Sequence, residues 1–318
     1  MKWYTFTKRS IDFIGTKINK RTNEKDCITI SGSPRTGTTW LMQILSQIHK
    51  SKTIFEPLHT TRFSIIEKLE LPPRIFLPLD KENTALRCHL DKVFQGKAIS
   101  KNPSYYLKYE EIKKRLIYDK IVVKFINSNR LLPWIAKRYT TKSNFLIIRN
   151  PCATINSQIK SGWIGYPKHL ELEFRAGNIN IVKKNILRGL SLIPDFQNNT
   201  KIVRMIQKIN NMKELLAVEW ALDYYVPLNY CKKVDFILIF YEELIKDKQK
   251  MIKDIFKNLN FSIPKNIDIA SSIPSIASEE KKIDVERQLN KWKKNISKVD
   301  AEKIFNIVKL FDIDFYKS

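Results

Sequence analysis

Cysteine, acidic residues and long apolar segments are scarce in this chain of 318 residues. The four cysteines lie far apart and form no Cys-x-x-Cys pair: Cys27, Cys88, Cys152 and Cys231. This spacing argues against a cysteine metal site or a disulfide framework and favours a reducing compartment. No apolar run is long enough to cross a membrane, so we expect no transmembrane segment and a cytoplasmic location.

Acidic residues are outnumbered by basic ones, with 32 Asp and Glu against 57 Lys and Arg and a formal net charge of +25. Such a charge favours anionic partners: nucleotides, acidic polysaccharides, membrane surfaces or nucleic acids. The lysines are dispersed rather than clustered, which argues against a nucleic-acid-binding protein. A compositional bias that spreads lysine over solvated faces explains the excess equally well.

The first 24 residues are interpreted as an N-terminal arm. Residues 1–20 mix aromatic side chains with Lys and Arg, but they lack the apolar core and cleavage site of a signal peptide. We expect a helix packed on the domain or a loose arm. A basic amphipathic segment on a membrane surface is the alternative, so peripheral membrane contact stays open.

A phosphate-binding loop is predicted between a short apolar strand and the start of a helix. Two glycines, Gly32 and Gly37, are separated by four residues and followed by Thr38 and Thr39. Backbone N–H groups and a helix N-terminus converge on an anion in loops of this kind. Nucleotide triphosphatases need Lys where this chain has Thr38, whereas Arg35 offers a guanidinium that suits a phosphate or sulfonate. The loop is therefore predicted to bind phosphate without hydrolysing ATP; a turn without a ligand is the alternative.

Apolar runs alternate with helical patterns along most of the chain. This alternation predicts an α/β fold with a mainly parallel central sheet and helices on both faces, like that of P-loop nucleotide triphosphatases. The predicted strands span residues 27–31, 98–100, 121–125, 145–148 and 236–240. The predicted helices include residues 38–49, 130–139, 151–160 and 299–311.

Residues 162–233 lack strand patterning, and we expect a helical cap there that shapes an acceptor pocket beside the sheet. Residues 261–278 contain Pro and Ser and are predicted to be a loop. Since neither an internal repeat nor a linker is evident, residues 1–318 are predicted to form a single domain.

A second anion site is predicted where the apolar run at 145–148 ends. Arg149 follows this run, Pro151 begins a helix, and Ser157 lies about two turns into that helix. Ligands of open parallel sheets bind beyond the carboxyl ends of the strands, so Arg149 and Arg35 should reach the same crevice. Two separated phosphate sites would suit a nucleoside phosphorylated at both ends.

Together these motifs resemble those of sulfotransferases that use 3′-phosphoadenosine-5′-phosphosulfate (PAPS). The matching segments are Pro34-Arg35-Thr36-Gly37-Thr38-Thr39-Trp40-Leu41, Arg149-Asn150-Pro151-Cys152-Ala153 with Ser157, Tyr241-Glu242-Glu243-Leu244, and Leu289-Asn290-Lys291-Trp292-Lys293-Lys294. Asn150 and Cys152 depart from the Asp and Arg that the family usually has. The resemblance implies PAPS contacts from Ser33, Pro34, Arg35, Thr36, Gly37, Thr38, Thr39, Trp40, Arg149, Ser157 and Tyr241. Arg287 is added from its position alone.

Three residues are candidates for the chemistry. Glu56 follows the first helix, where a second parallel strand is expected to end beside the first strand, and Pro57 and Leu58 follow it. Carbohydrate and tyrosine sulfotransferases that resemble this chain carry a catalytic Glu there, so Glu56 is the expected general base. His59 is the second candidate because its unperturbed pKa suits a base. Lys124 lies in an apolar strand and is expected to reach the crevice; a surface Glu, a structural His and a snorkelling Lys are the alternatives.

The resemblance implies a metal-independent enzyme that moves sulfonate from PAPS to an acceptor hydroxyl by in-line transfer and releases adenosine 3′,5′-bisphosphate. A carbohydrate acceptor is expected from the Glu-Pro-Leu sequence and the general basicity. One alternative is a kinase-like phosphotransferase, which predicts Lys at position 38 and a magnesium-binding carboxylate after a strand. The other is a nucleic-acid-binding or membrane-binding protein, which predicts clustered basic residues.

Overall fold

Five parallel strands form the central sheet in the order β2-β3-β1-β4-β5. They are β1 (Cys27–Gly32), β2 (Ser51–Phe55), β3 (Lys120–Lys124), β4 (Ser143–Ile148) and β5 (Ile237–Phe240). The computed structural model describes residues 2–19, 22–69, 73–101, 112–232, 235–272 and 284–316. Within these ranges the helices are α1 (Lys2–Ile18), α2 (Thr38–Leu45), α3 (Ser64–Lys68), α4 (Thr84–Phe94), α5 (Ile112–Leu116), α6 (Leu132–Arg138), α7 (Pro151–Ser161), α8 (Lys168–Arg175), α9 (Ile179–Leu190), α10 (Thr200–Lys208), α11 (Met212–Tyr230), α12 (Tyr241–Lys246), α13 (Lys248–Asn258), α14 (Ile267–Ser272), α15 (Val285–Asn290) and α16 (Lys298–Lys309).

Helices cover both faces of the sheet, as the apolar strands predicted. In β4, Phe145 and Ile147 pack into a core with α2, α12 and α13, whereas Leu146 and Ile148 pack into a second core with α7 and α11. All four side chains are buried. Burying a side chain of this size contributes about 1.5–3 kcal/mol, so sequences that are apolar on both faces favour this layered arrangement. The predicted α/β class with a parallel sheet is confirmed.

Two strand predictions were wrong. Residues 98–100 form no strand; the Ala98 N–H donates to the Lys92 carbonyl and so continues the end of α4. The second parallel strand, β2, does not lie beside β1, because β3 lies between them and pairs with both. Phe55 at the end of β2 is therefore in register with Lys124.

Helix boundaries also differ from the predictions. The helix predicted from residue 38 ends at Leu45, and the one predicted from residue 130 begins with a 3₁₀ turn before α6. A short helix, α14, lies inside the predicted loop 261–278, whose residues 273–278 are outside the described ranges. The described part of 162–233 consists of helices and turns without a strand, and its assignment as a cap stays a prediction.

The N-terminal helix α1 is joined to the domain by a buried ion pair. The Arg115 guanidinium donates to Asp12 at 2.7 Å, and the Lys52 ammonium lies 3.6 Å from the same carboxylate. Asp12 is 4% exposed, so its charge is buried against these two cations. The described part of the arm is thus a packed helix. No helix of the described ranges has the length and apolar character needed to cross a membrane.

A buried network of charges ties α11 to the rest of the fold. Arg130 donates to Glu219 at 2.6 Å and to Asp223 at 3.1 Å, and Arg74 lies 3.2 Å from both carboxylates. Burial alone raises the pKa of Glu219, but the two guanidinium charges outweigh burial and lower it. Buried charges of this kind are costly unless every one is paired, so the network fixes α11 in one position.

Candidate functional site

Each of the five strands delivers one residue to the same cleft, which has a volume of about 440 Å³. Lys124 is the last residue of β3, and Arg35 lies in the loop after β1. Glu56, Arg149 and Tyr241 follow directly after β2, β4 and β5. Because all five strands are parallel, their carboxyl ends meet at one edge, where open α/β sheets bind ligands.

The loop after β1 has the backbone geometry of an anion cradle. Arg35 and Gly37 adopt positive φ angles of 74° and 98°. Gly37 is the N-cap of α2 and has no side chain to cap it, so the first N–H groups of the helix face a potential ligand. A Cβ on Gly37 would lie 2.6 Å from the Tyr241 ring. Glycine is thus needed at this position for its conformation and for space.

Neighbouring elements hold the loop in place through hydrogen bonds. The Ser33 hydroxyl donates to Asp223 at 2.8 Å, and the Ser33 N–H donates to the Tyr224 hydroxyl at 3.3 Å. The Gln158 amide donates to the Pro34 carbonyl at 3.0 Å, and the Thr36 hydroxyl donates to the Ser33 carbonyl at 2.7 Å. Asp223 belongs to the buried charge network, so the loop is anchored to α11 as well as to the sheet.

Arg149 lies beside this loop, and only some of its hydrogen-bond donors have partners within the described ranges. Its Nη1 donates to the Arg35 carbonyl at 2.9 Å, and its guanidinium stacks on the Tyr241 ring at 4.3 Å. Its Nε and Nη2 are buried and have no hydrogen-bond partner among the described residues. Leaving two buried charged donors unbonded is costly, whereas an anion in the cleft would satisfy both. Ser157 completes this corner by accepting a hydrogen bond from the Arg35 Nε at 3.1 Å.

Glu56 is clamped between two cations on the other side of the cleft. Lys124 Nζ donates to its Oε1 at 2.5 Å, and Arg62 Nε donates to its Oε2 at 3.1 Å. Burial raises the pKa of Glu56, but Lys124 and Arg62 outweigh burial and lower it from its usual value. Glu56 also has a positive φ of 51°, a strained conformation of the kind found at functional sites. The carboxylate is therefore ionised near neutral pH.

His59 lies in the same cleft with one ring nitrogen already engaged. Its Nδ1 accepts a hydrogen bond from the Thr61 N–H at 3.3 Å and lies 2.9 Å from the Thr61 hydroxyl. Burial lowers the pKa of His59 from its usual value, and the Glu56 charge partly offsets this shift. With Nδ1 as an acceptor, the neutral ring carries its proton on Nε2. This tautomer is poorly suited to take a second proton.

The cleft brings together most of the residues predicted from the sequence. Those that line it are Arg35, Gly37, Thr38, Thr39, Trp40, Glu56, His59, Lys124, Arg149, Ser157 and Tyr241. Ser33, Pro34 and Thr36 belong to the loop but do not line the cleft, and they shape the loop through the hydrogen bonds described above. Arg287 is exposed and does not line the cleft; Gln288 and Lys291 of the same segment do.

The lining or supporting residues that were not predicted include Arg62, Gln158, Trp163 and Asp223. Arg62 is the only arginine within ten residues after Glu56, so its charge and position could have identified it from the sequence. Gln158 directly follows the predicted Ser157 on α7. Trp163 and Asp223 lie in the region without recognisable motifs, and only the folded chain brings them to the cleft and the loop.

The two departures from the family motif have structural roles here. The Asn150 side chain accepts a hydrogen bond from the Ala153 N–H and caps α7, as an Asp would. Cys152 is fully buried in the core beneath α7. Burial raises the pKa of its thiol to about 12, so it carries no charge. Neither residue lines the cleft.

Comparisons with known proteins give structural neighbours only, because neither a family model nor a curated protein matches the chain. A sulfotransferase domain from the curacin biosynthetic pathway is 16% identical, with a TM-score of 0.49 over 93% of this chain and 100% of that chain. The sulfotransferase domain of the Synechococcus PCC 7002 olefin synthase is 14% identical, with a TM-score of 0.44 and coverages of 94% and 98%. Mouse sulfotransferase SULT7A1 complexed with PAP is 13% identical, with a TM-score of 0.43 and coverages of 95% and 89%. These scores are low, so the function proposed below rests on the site of this chain.

The substitution Gly37→Ala tests the geometry of the loop. We expect it to lower the free energy of unfolding in urea by about 2–4 kcal/mol, because it adds backbone strain and a clash with Tyr241. Gly177→Ala is the matched control, since Gly177 has a φ of 76° and a Cβ added there would meet no atom within 4 Å. The control should lose only about 1–2 kcal/mol. Equal losses in the two variants would contradict the assigned close approach of Tyr241.

Proposed function

We propose that the chain is a PAPS-dependent sulfotransferase that acts on a hydroxyl group, with a carbohydrate as the acceptor. The observation that carries the proposal is the pair of buried Arg149 donors without partners among the described residues, beside a phosphate loop that has Thr38 in place of lysine. Two anion sites on one sheet edge match a nucleotide with phosphates at both ends. The described residues include no group of His, Cys, Asp or Glu that could hold a metal ion.

The residues present fit this nucleotide. The loop N–H groups between Gly32 and Thr39 would hold the 5′-phosphosulfate, and Arg149 with Ser157 would hold the 3′-phosphate. Trp40 lines the cleft at the start of α2, and its buried indole N–H has no partner in the described part of the chain. The donor, when bound, supplies the sulfonate that is transferred.

Glu56 would act as the general base. It is ionised, it lines the cleft, and Lys124 and Arg62 fix both carboxylate oxygens in orientation. Glu56 would take the proton of the attacking hydroxyl; the bound donor would supply the sulfonate to the hydroxyl oxygen and keep the 5′-phosphate oxygen as the leaving group. A base placed in this way contributes about 10²–10⁴ in rate. Lys124 and the loop N–H groups face the site where negative charge develops on the departing phosphate.

The carbohydrate acceptor and the cellular location complete the proposal. The sequence Glu56-Pro57-Leu58 is similar to that of carbohydrate sulfotransferases, and the charge of +25 suits acidic polysaccharides. All four cysteines are free thiols, which fits a reducing compartment such as the cytoplasm. Residues 162–233 would form the acceptor-facing cap of a single sulfotransferase domain.

Selective stabilisation by the product nucleotide tests the function. Adenosine 3′,5′-bisphosphate without metal should raise the melting temperature of the protein. At a ligand concentration of about 100 times the dissociation constant, binding should increase the free energy of unfolding by about 2.7 kcal/mol. ATP with magnesium should have a much smaller effect, because the loop lacks the lysine that bridges its terminal phosphates. Differential scanning fluorimetry measures both. Stabilisation by ATP with magnesium alone would favour the kinase-like alternative.

The pH dependence of kcat distinguishes Glu56 from His59 as the base. Because Lys124 and Arg62 lower the pKa of Glu56 from its ordinary range, the rate should stay constant from about pH 8 to about pH 5. Transfer of ³⁵S from labelled PAPS to a mixed pool of neutral and sulfated oligosaccharides measures it. Glu56→Gln should abolish sulfonate transfer while stabilisation of the protein by the nucleotide persists. His59→Gln should retain sulfonate transfer. An active Glu56→Gln enzyme would assign the role to His59.

A further inference from the structure

A second cleft opens beside the candidate active site. It has a volume of about 680 Å³, and Thr61 lines both clefts. Thr60 and Pro73 form another part of its wall, opposite residues from α8 and α9. A molecule that presents a hydroxyl to Glu56 could therefore extend past Thr61 into this second space, which we call the side cleft.

The side cleft is lined by basic residues from three separate segments of the chain. They are Lys101, which follows α4, Lys168 and His169 at the start of α8, and Lys184 and Arg188 on α9. Lys184 and Arg188 are four positions apart, so they lie on the same face of α9 and both are exposed. Neither forms an ion pair within the described part of the chain. No Asp or Glu lines the side cleft among the described residues.

The side cleft differs from another basic cleft of the chain, because no acidic residue lines it among the described residues. Another surface cleft, lined by Lys201, Arg204 and Lys208 of α10, also contains Glu214 and Lys303. Glu214 accepts from Lys303 at 3.3 Å, so that cleft already has an internal counter-charge. The side cleft combines Lys184 and Arg188 with a wall residue, Thr61, that it shares with the candidate active site. Such a concentration of one charge beside a reaction site attracts anionic ligands.

The remaining wall of the side cleft suits a sugar chain. Thr60, Thr61 and Asn185 offer hydroxyl and amide groups that can exchange hydrogen bonds with sugar hydroxyls. A peptide in extended form would instead use the backbone of an open strand edge. No strand lines the side cleft among the described residues. Side-chain polar groups and cations together favour an acidic oligosaccharide.

We propose that the acceptor is an acidic oligosaccharide, whose reacting hydroxyl lies at Glu56 and whose sulfate or carboxylate groups bind Lys184 and Arg188 in the side cleft. This inference rests on the proposed sulfotransferase function and adds the charge of its substrate. The two residues would bind and orient the acceptor without taking part in proton transfer. They would therefore affect KM for an acidic acceptor rather than the affinity for the nucleotide.

The double variant Lys184→Gln/Arg188→Gln tests this assignment. The probe is sulfated maltohexaose, with unsulfated maltohexaose as its neutral counterpart, titrated calorimetrically at fixed ionic strength into protein saturated with adenosine 3′,5′-bisphosphate. Loss of two charged contacts should weaken binding of the sulfated probe by about tenfold or more. Lys201→Gln/Arg204→Gln removes the same charge from α10, and it should weaken binding by no more than about twofold.

Three results would overturn the inference, and they are separable from failure of the proposed function. Equal losses in both double variants would show attraction by net charge alone. Equal affinity for the neutral and sulfated probes would remove the need for an anionic acceptor. Binding of a glutamate-rich peptide containing tyrosine through Lys184 and Arg188, without binding of the sulfated probe, would assign a peptide acceptor. Absence of stabilisation by the bisphosphate in wild-type protein would instead refute the nucleotide site itself.

Discussion

The parallel direction of the five strands is the constraint on which the candidate site depends. Parallel strands end at the same edge, so residues far apart in sequence meet there. Glu56 and Lys124 are brought together because the ends of β2 and β3 are in register, and a 2.5 Å ion pair results. The loop after β1 and Arg149 after β4 face each other across the same edge by the same rule.

Two regions of the molecule differ in how completely their charged side chains are paired. Beneath the loop, Arg74 and Arg130 are paired with Glu219 and Asp223, which makes that region rigid. Arg74 still has one buried donor, Nε, without a partner among the described residues, whereas Arg149 in the cleft has two, Nε and Nη2. A paired network holds the loop through Ser33, and an incompletely bonded cation lies where a ligand would bind.

The sequence predicted the parts of the site that follow directly after strands, because apolar runs mark the strands and parallel topology fixes where they end. The neighbours of β2 could not be predicted, since strand order depends on which helices cross over the sheet. Asp223 could not be predicted for a similar reason. It accepts a hydrogen bond from Ser33, which lies 190 residues earlier in the sequence, and no local sequence pattern marks that pairing. Arg287 was chosen by position alone, and the turn of α15 directs Gln288 toward the cleft in its place.

The central claim is that Arg149 recognises the 3′-phosphate of the nucleotide. Calorimetric titration of adenosine 3′,5′-bisphosphate and adenosine 5′-monophosphate into wild-type protein and Arg149→Gln tests it as a thermodynamic cycle. Wild-type protein should bind the bisphosphate about 100-fold more tightly than the monophosphate, since two charged hydrogen bonds are added. The variant should lose most of this preference and bind the monophosphate as wild type does. An unchanged preference in Arg149→Gln would contradict the account.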